Sequence, residues 1–288
     1  MMTKIITIDA LVNDYTLSRQ FKQLATSTKG VYITGFDKMI NWFGGGFKIE
    51  NMTPRNAVGF YENLLDHVSD KYAAAMIKGP KAAFQTLVDL REAEINPFTI
   101  MNLKIKYDPR SVVWSKEEFE RFLETAKADD KLSYLYPFVG MLYLSAQRPE
   151  DVREIHWGQR HWSAEHNAYC FEITQQKTGT EVAIWVTDQI EKVLTALDER
   201  YCSMLFTKNG EHVSLQTFRN DFKKLLVKAG LRQELQMRDL RRSRATHLID
   251  AGYTSEQVMS ITGHKSLSVF EKTYKVTSRE TSAFILNI

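Results

Sequence analysis

Between Arg238 and Tyr274 the chain gathers the side chains best suited to act on a charged substrate. Four arginines (Arg238, Arg241, Arg242 and Arg244) and one aspartate, Asp239, fall within the first seven residues of this stretch. Gly263-His264 follows, and Tyr274 lies ten residues beyond that histidine. Arg238 and Arg241 are three apart, so on a helix they point the same way. A helix start also attracts anions through its exposed N–H groups. A phenol with its ordinary pKa of about 10 is a poor nucleophile unless cations lower that value or a base takes its proton. A tyrosine among guanidinium groups and an imidazole therefore suits attack of a phenolate on a phosphodiester. The plainer alternative is a solvated charged face with a core histidine and a core tyrosine.

Two upstream cations could join them. Arg148 follows an apolar run and precedes Pro149, which opens a helix, with Asp151 three residues on. Its fork of donors suits a carboxylate or a phosphate equally. Lys177, in Lys177-Thr178-Gly179, tops a hairpin. It is either an ordinary polar turn residue or a mobile ammonium that hands a proton to a leaving alkoxide. His247 reads as a core residue.

The elements that must position these groups fall into two parts. Residues 1–100 read as an all-α domain. Apolar spacing marks helices over 16–27 and 36–43. Thr53-Pro54 starts one that reaches about residue 67, Ser69 caps one that stops at Gly79, and Pro80 starts another, ended by Asn96-Pro97. Residues 101–113 read as an extended basic linker containing Lys104, Lys106 and Arg110. From 114 to 288 the pattern is α+β, mainly helical. A capping box at Ser115 and Glu118 opens a helix over 116–126, and a buried helix covers 132–145. Strands at 168–174 and 182–186 form a small antiparallel sheet, and helices follow over 188–198 and 215–229.

The 288 residues suffice for two domains, and hydrophobic content of 43% with 25% charged residues is that of a globular protein. A net charge of +3 permits a nucleic-acid partner without demanding one. The two cysteines, Cys170 and Cys202, and the seven histidines show no metal spacing, so neither metal nor cofactor is expected. Without a signal peptide or a long apolar run, a cytoplasmic protein with no membrane association is expected.

The order Arg148, Lys177, Arg238-Asp239-Leu240-Arg241, Gly263-His264, Tyr274 resembles the tyrosine recombinase, or phage integrase, family. The resemblance covers roughly residues 115–274 and, more loosely, the helical N-terminal half. It implies an N-terminal core-binding domain and a catalytic domain that close as a clamp on double-stranded DNA. It implies a site-specific recombinase in which Tyr274 attacks a scissile phosphate and forms a 3′-phosphotyrosyl link. Arg148 and Arg241 would clamp the phosphate oxygens, Lys177 would protonate the 5′-oxygen, and His264 would bond the phosphate. Lys104, Lys106, Arg110 and Arg242 would contact DNA. The family carries histidine where this chain has Arg238. Arginine cannot accept a proton near neutral pH, so Arg238 is left to hold the phosphate, and the proton acceptor lies between water and His264. The same resemblance implies a homotetramer on two duplexes, accessory DNA-bending proteins and a C-terminal tail, 278–288, that docks on its own domain or on a neighbour. The short lead-in implies no arm-binding module. Three rivals share the pattern: a dimer resolvase, a catalytically degenerate DNA-binding relative and a relaxing topoisomerase.

Overall fold

Short hydroxyl side chains set where most of the helices begin. Thr7 caps α1 (Ile8–Leu17), Ser18 caps α2 (Arg19–Lys22), and Thr53 with Asn56 forms a capping box on α4 (Pro54–Leu65). Each oxygen accepts a backbone N–H that the first helical turn leaves unpaired. The structure, a computed structural model, describes residues 6–99, 110–197 and 203–274. By its internal contacts the chain divides into two units, Met1–Asp108 and Pro109–Ile288.

The first unit is helical, but its helices differ from the sequence expectation. α3 runs unbroken through Thr26–Phe43, and α5 through Asp70–Asp89 with Pro80 inside it. A proline within a helix leaves the carbonyl four residues earlier without its donor. Here that carbonyl belongs to Met76, and α3 comes so close to it that a Cβ on Gly35 would lie 2.3 Å from the oxygen. Gly79 likewise lies against Tyr32 of α3. The close packing of α3 on this face outweighs the lost hydrogen bond, and packing overrides the stop signal. Phe36, Met39, Phe60, Met76, Phe84 and Phe98 fill the core.

In the second unit α6 (Lys116–Lys127) begins at the expected capping box of Ser115 and Glu118. α7 (Leu135–Ser145) is apolar nearly all round because it is the central helix, packed by α6, by α9 (Asp188–Leu194) and by α11 (Met237–Asp250). α10 (Leu215–Lys228) adds Phe218 and Phe222 to the same core. The sheet has three antiparallel strands in the order β1 (Arg160–Ser163), β2 (Ala168–Thr174), β3 (Glu181–Trp185). β1 had no sequence signal, since Arg160, His161 and Ser163 do not alternate apolar with polar. A small hairpin, β4 (Thr207–Lys208) and β5 (Glu211–His212), turns on Asn209 and Gly210, both with positive φ. α8 (Pro149–Arg153), α12 (Ser255–Thr262) and α13 (Leu267–Tyr274) complete the unit. No helix among the described residues is long and apolar enough to cross a membrane.

The end of the expected linker belongs to this second unit. Arg110 pairs through Nε with Asp239 Oδ1 at 2.8 Å and donates to the Glu234 carbonyl. The Trp114 N–H donates to Ser243 Oγ at 2.8 Å. Arg110, expected to contact DNA, is thus paired with a buried carboxylate at the start of α11 while its side chain stays 30% exposed. Lys104, Lys106 and the tail 278–288 lie outside the described residues.

Candidate active site

The C-terminus of α7 starts the site. Ala146 adopts a left-handed conformation with φ 53° while fully buried. This reversal turns Gln147 inward and sets Arg148 at the N-cap of α8, where Pro149 occupies the first turn. Gln147 and Gln175 are both wholly buried and bonded to one another, Gln175 Nε2 donating to Gln147 Oε1 at 2.7 Å. Gln175 Nε2 also donates to the Thr262 carbonyl at 2.9 Å, and Gln147 Nε2 to the Ile261 carbonyl at 2.7 Å. Gln175 Oε1 accepts from Arg148 Nη1 at 2.8 Å. The two glutamines thus tie the end of α7, the tip of the β2–β3 hairpin and the end of α12 to the Arg148 guanidinium. Asp151 adds an ion pair to Arg148 Nη1 at 3.6 Å.

Arg241 projects from the first turns of α11 into the same place and is only 6% exposed. Its Nη1 donates to the Ala146 carbonyl at 3.0 Å, and its Nη2 to the Thr262 carbonyl at 2.7 Å. Its Nε faces the Tyr274 hydroxyl at 3.4 Å, and Nη2 lies 3.3 Å from His264 Nδ1. Burial pushes the guanidinium below its ordinary pKa; Tyr274 counters that shift and Arg148 adds to it. Two guanidinium groups here face one carboxylate, Asp151, so the cluster has positive charge to offer an anion.

Tyr274 is held from one side of α13 by the Phe270 ring at 4.7 Å and from another by His264, edge-on at 5.3 Å. Phe270 and Tyr274, one turn apart, pack with Ala245, Leu248 and Val258 of α11 and α12. The Arg242 guanidinium sits 5.7 Å from the Tyr274 ring. This half-buried arginine, expected to contact DNA, thus lies over the phenol of its own chain.

His264 follows Gly263, the left-handed C-cap of α12. Burial, then Arg241, then Arg148 push the imidazole down to about 4, so it is neutral around pH 7. Thr262 Oγ1 donates to the Val258 carbonyl at 2.9 Å and lies 2.7 Å from His264 Nδ1. Arg241 Nη2, a donor only, faces both ring nitrogens, Nδ1 at 3.3 Å and Nε2 at 3.5 Å. Because the pKa falls on folding, the unfolded chain binds the proton first. Stability is therefore full above the unfolded value near 6.5 and is lost as the pH falls from there to about 4, by at most about 3 kcal/mol. Urea melts of wild type and of His264→Gln across that range should differ in slope against pH. Parallel curves would remove His264 as the cause.

Gly263 carries a second expectation. Its φ is +72°, and a Cβ there would lie 2.7 Å from Gln175 Nε2. That amide is pinned by its two hydrogen bonds and cannot simply swing away. Gly263→Ala should cost about 1–2 kcal/mol through the backbone alone, and more through the displaced glutamine. Thermal melting checks the first part, and unchanged stability would contradict it.

The structure thus brings Arg148, Arg241, His264 and Tyr274 together within one chain. Lys177 stands exposed at the hairpin tip, beside Thr178, whose Oγ1 donates to Gln175 Oε1 at 2.8 Å. Arg238 is exposed on the first turn of α11 and forms no ion pair among the described residues. The sequence reading missed Gln147, Gln175 and Thr262, since glutamine and threonine give no signal until the fold buries them. The Gln175-Gln176-Lys177-Thr178-Gly179 turn was the available hint.

A mainly helical unit with a three-stranded sheet, presenting two arginines, a histidine and a tyrosine at the ends of four elements, has the tyrosine recombinase catalytic fold. The family model described as "Phage integrase family" matches residues 113–280, and the chain belongs to that family. No curated protein sequence matches the chain. Among solved structures it resembles a λ integrase dimer bound to a COC′ core site, with a TM-score of 0.78 and 16% identity over 95% of this chain and 78% of that one. It also resembles the Tn1549 transposon integrase in complex with a circular intermediate DNA, with a TM-score of 0.76 and 16% identity over 98% of this chain and 100% of that one. A λ integrase tetramer bound to a Holliday junction is similar at a TM-score of 0.75, with 17% identity over 91% of this chain and 78% of that one.

Proposed function

We propose that this chain is a site-specific DNA recombinase that cuts and rejoins double-stranded DNA through a covalent 3′-phosphotyrosine. The observation that carries the reading is the buried Arg241, which reaches the Tyr274 hydroxyl at 3.4 Å while two carbonyls hold its other nitrogens. A guanidinium so fixed costs no reorganisation when charge develops beside it.

In the proposed step a scissile phosphate sits between Arg148 and Arg241, which balance the charge growing on its non-bridging oxygens. The Tyr274 oxygen forms a bond to phosphorus as the bond to the 5′-oxygen breaks. Lys177, on the exposed hairpin, gives its proton to that leaving oxygen. The phenol proton passes to water or to His264, whose neutral ring stands edge-on to Tyr274. The phosphotyrosyl ester conserves the bond energy, so a 5′-hydroxyl from another strand reverses the step. The arginine pair does the charge neutralisation that metal ions do in other phosphoryl-transfer sites. The family and the DNA-bound forms of the λ and Tn1549 enzymes support a DNA substrate, integration or excision of a mobile element, and a tetramer on two duplexes. The degenerate DNA-binding alternative leaves the alignment of Arg241 with Tyr274 without a purpose.

A duplex nicked beside the cleavage point, which loses its short 5′-hydroxyl fragment after cutting, tests the reading. Incubation with cognate DNA should trap a covalent protein–DNA adduct that survives denaturing electrophoresis. A shifted band with no adduct would favour a binder that does not transfer strands.

Arg238 allows a sharper check. Placed where the family has histidine, it is exposed and cannot accept a proton. Arg238→His supplies a second acceptor, so adduct formation should equal or exceed that of wild type. A complete loss would show that the arginine contributes directly to holding the phosphate.

A further inference from the structure

On the outer face of the sheet, away from the arginine cluster, three unlike donor atoms converge. His161 of β1 pairs in register with Cys170 of β2, and Glu172 lies two residues along β2 on the same face. His161 Nε2 is 3.4 Å from Cys170 Sγ and 3.0 Å from Glu172 Oε1, and all three donor atoms lie within 4.8 Å of one another. In a tetrahedral zinc shell, bonds of about 2.0–2.3 Å place neighbouring donors roughly 3.3–3.6 Å apart. The ladder therefore presets two of the three spacings close to what an ion needs, and the exposed Glu172 side chain can turn to close the third.

Cys170 is a free cysteine and only 2% exposed, whereas the His161 and Glu172 side chains are 44% and 70% exposed. An ion can thus enter from solvent and meet a sheltered sulfur, which Trp185 flanks from the β3 side. We propose that His161, Cys170 and Glu172 bind a zinc-class divalent cation, with water in the fourth position. Sulfur with nitrogen and oxygen selects a borderline-soft metal over magnesium or calcium. On binding, Cys170 gives up its thiol proton to solvent and becomes the thiolate ligand. The bound ion clips β1, the edge strand with the least apolar patterning, onto β2. Linear spacing hides this set because the histidine and the cysteine stand nine residues apart and meet only through strand pairing.

The test is a titration of the full chain, stripped with chelator, with zinc by calorimetry and with cobalt by absorbance. Neither readout involves DNA or Tyr274, so the result stands apart from the recombinase reading. The expected result is a single saturable equivalent and a sulfur-to-cobalt charge-transfer band. His161→Ala, an exposed change that spares the core, should weaken binding by at least about tenfold, since even outer-shell changes cost that much. Cys170→Ser should remove the charge-transfer band. Zinc should raise the melting temperature of the wild type more than that of His161→Ala. Absence of binding, or binding that His161→Ala and Cys170→Ser leave unchanged, overturns the proposal.

Discussion

Tyr274→Phe should abolish covalent attachment to DNA while the protein still folds and still binds its site. The hydroxyl accepts one long contact, from Arg241 Nε at 3.4 Å, so its removal costs under about 1 kcal/mol of stability. The ring keeps its contacts with Phe270 and His264, so α13 stays seated. The loss of chemistry is of another order. Deleting a covalent nucleophile elsewhere costs about a millionfold in rate, which puts the variant at background in any adduct assay. The measurement is adduct yield on the nicked duplex, alongside a mobility shift that confirms binding. An adduct of undiminished yield would mean that another residue attacks, and the reading of this site would fall.

Arg241→Lys should be nearly as damaging, and for two separable reasons. An ammonium is a point charge and cannot serve the Ala146 carbonyl, the Thr262 carbonyl and the Tyr274 hydroxyl in three directions. Removing one preorganised donor from a developing oxyanion costs about 100–1000-fold in rate. The buried Ala146 carbonyl left without its donor adds about 1–3 kcal/mol of destabilisation, whereas the Thr262 carbonyl keeps the Gln175 amide. Arg148→Lys is the informative companion. Arg148 bonds a glutamine side chain and an aspartate at a half-buried position, so its replacement should slow cleavage comparably while lowering the melting temperature much less. Cleavage rates measured well below both melting points separate the two effects. Equal rate and stability losses in both variants would make both arginines structural.

What could be read from the chain before folding depended on how local each signal was. The Thr53-Pro54 start of α4, the capping box of α6, the apolar run of α7 and the strand patterns of β2 and β3 are neighbour effects a few residues long, and they placed those elements closely. Pro80 misled because its cost is local, while the packing that offsets it comes from α3, where Gly35 lies 45 residues before the proline. β1 stayed hidden because an edge strand gains its shape from its partner rather than from its own pattern. Arg110 looked like a free basic residue until α11 presented Asp239.

The same division runs through the site. The sequence by itself determined which chemistry was open: a phenol, two arginines, a lysine and a histidine in an order that matches the phage integrase family, with Arg238 standing where a proton acceptor is usual. Side-chain type sets what a group can donate, accept or attack, whatever surrounds it. Only the tertiary structure decided which of these groups meet, that Arg241 is buried against the phenol while Arg238 faces solvent, and that His264 is neutral. Only it recruited Gln147, Gln175 and Thr262 to hold them. Burial and distance set the strength and the charge of each group, and both come from contacts between residues far apart along the chain.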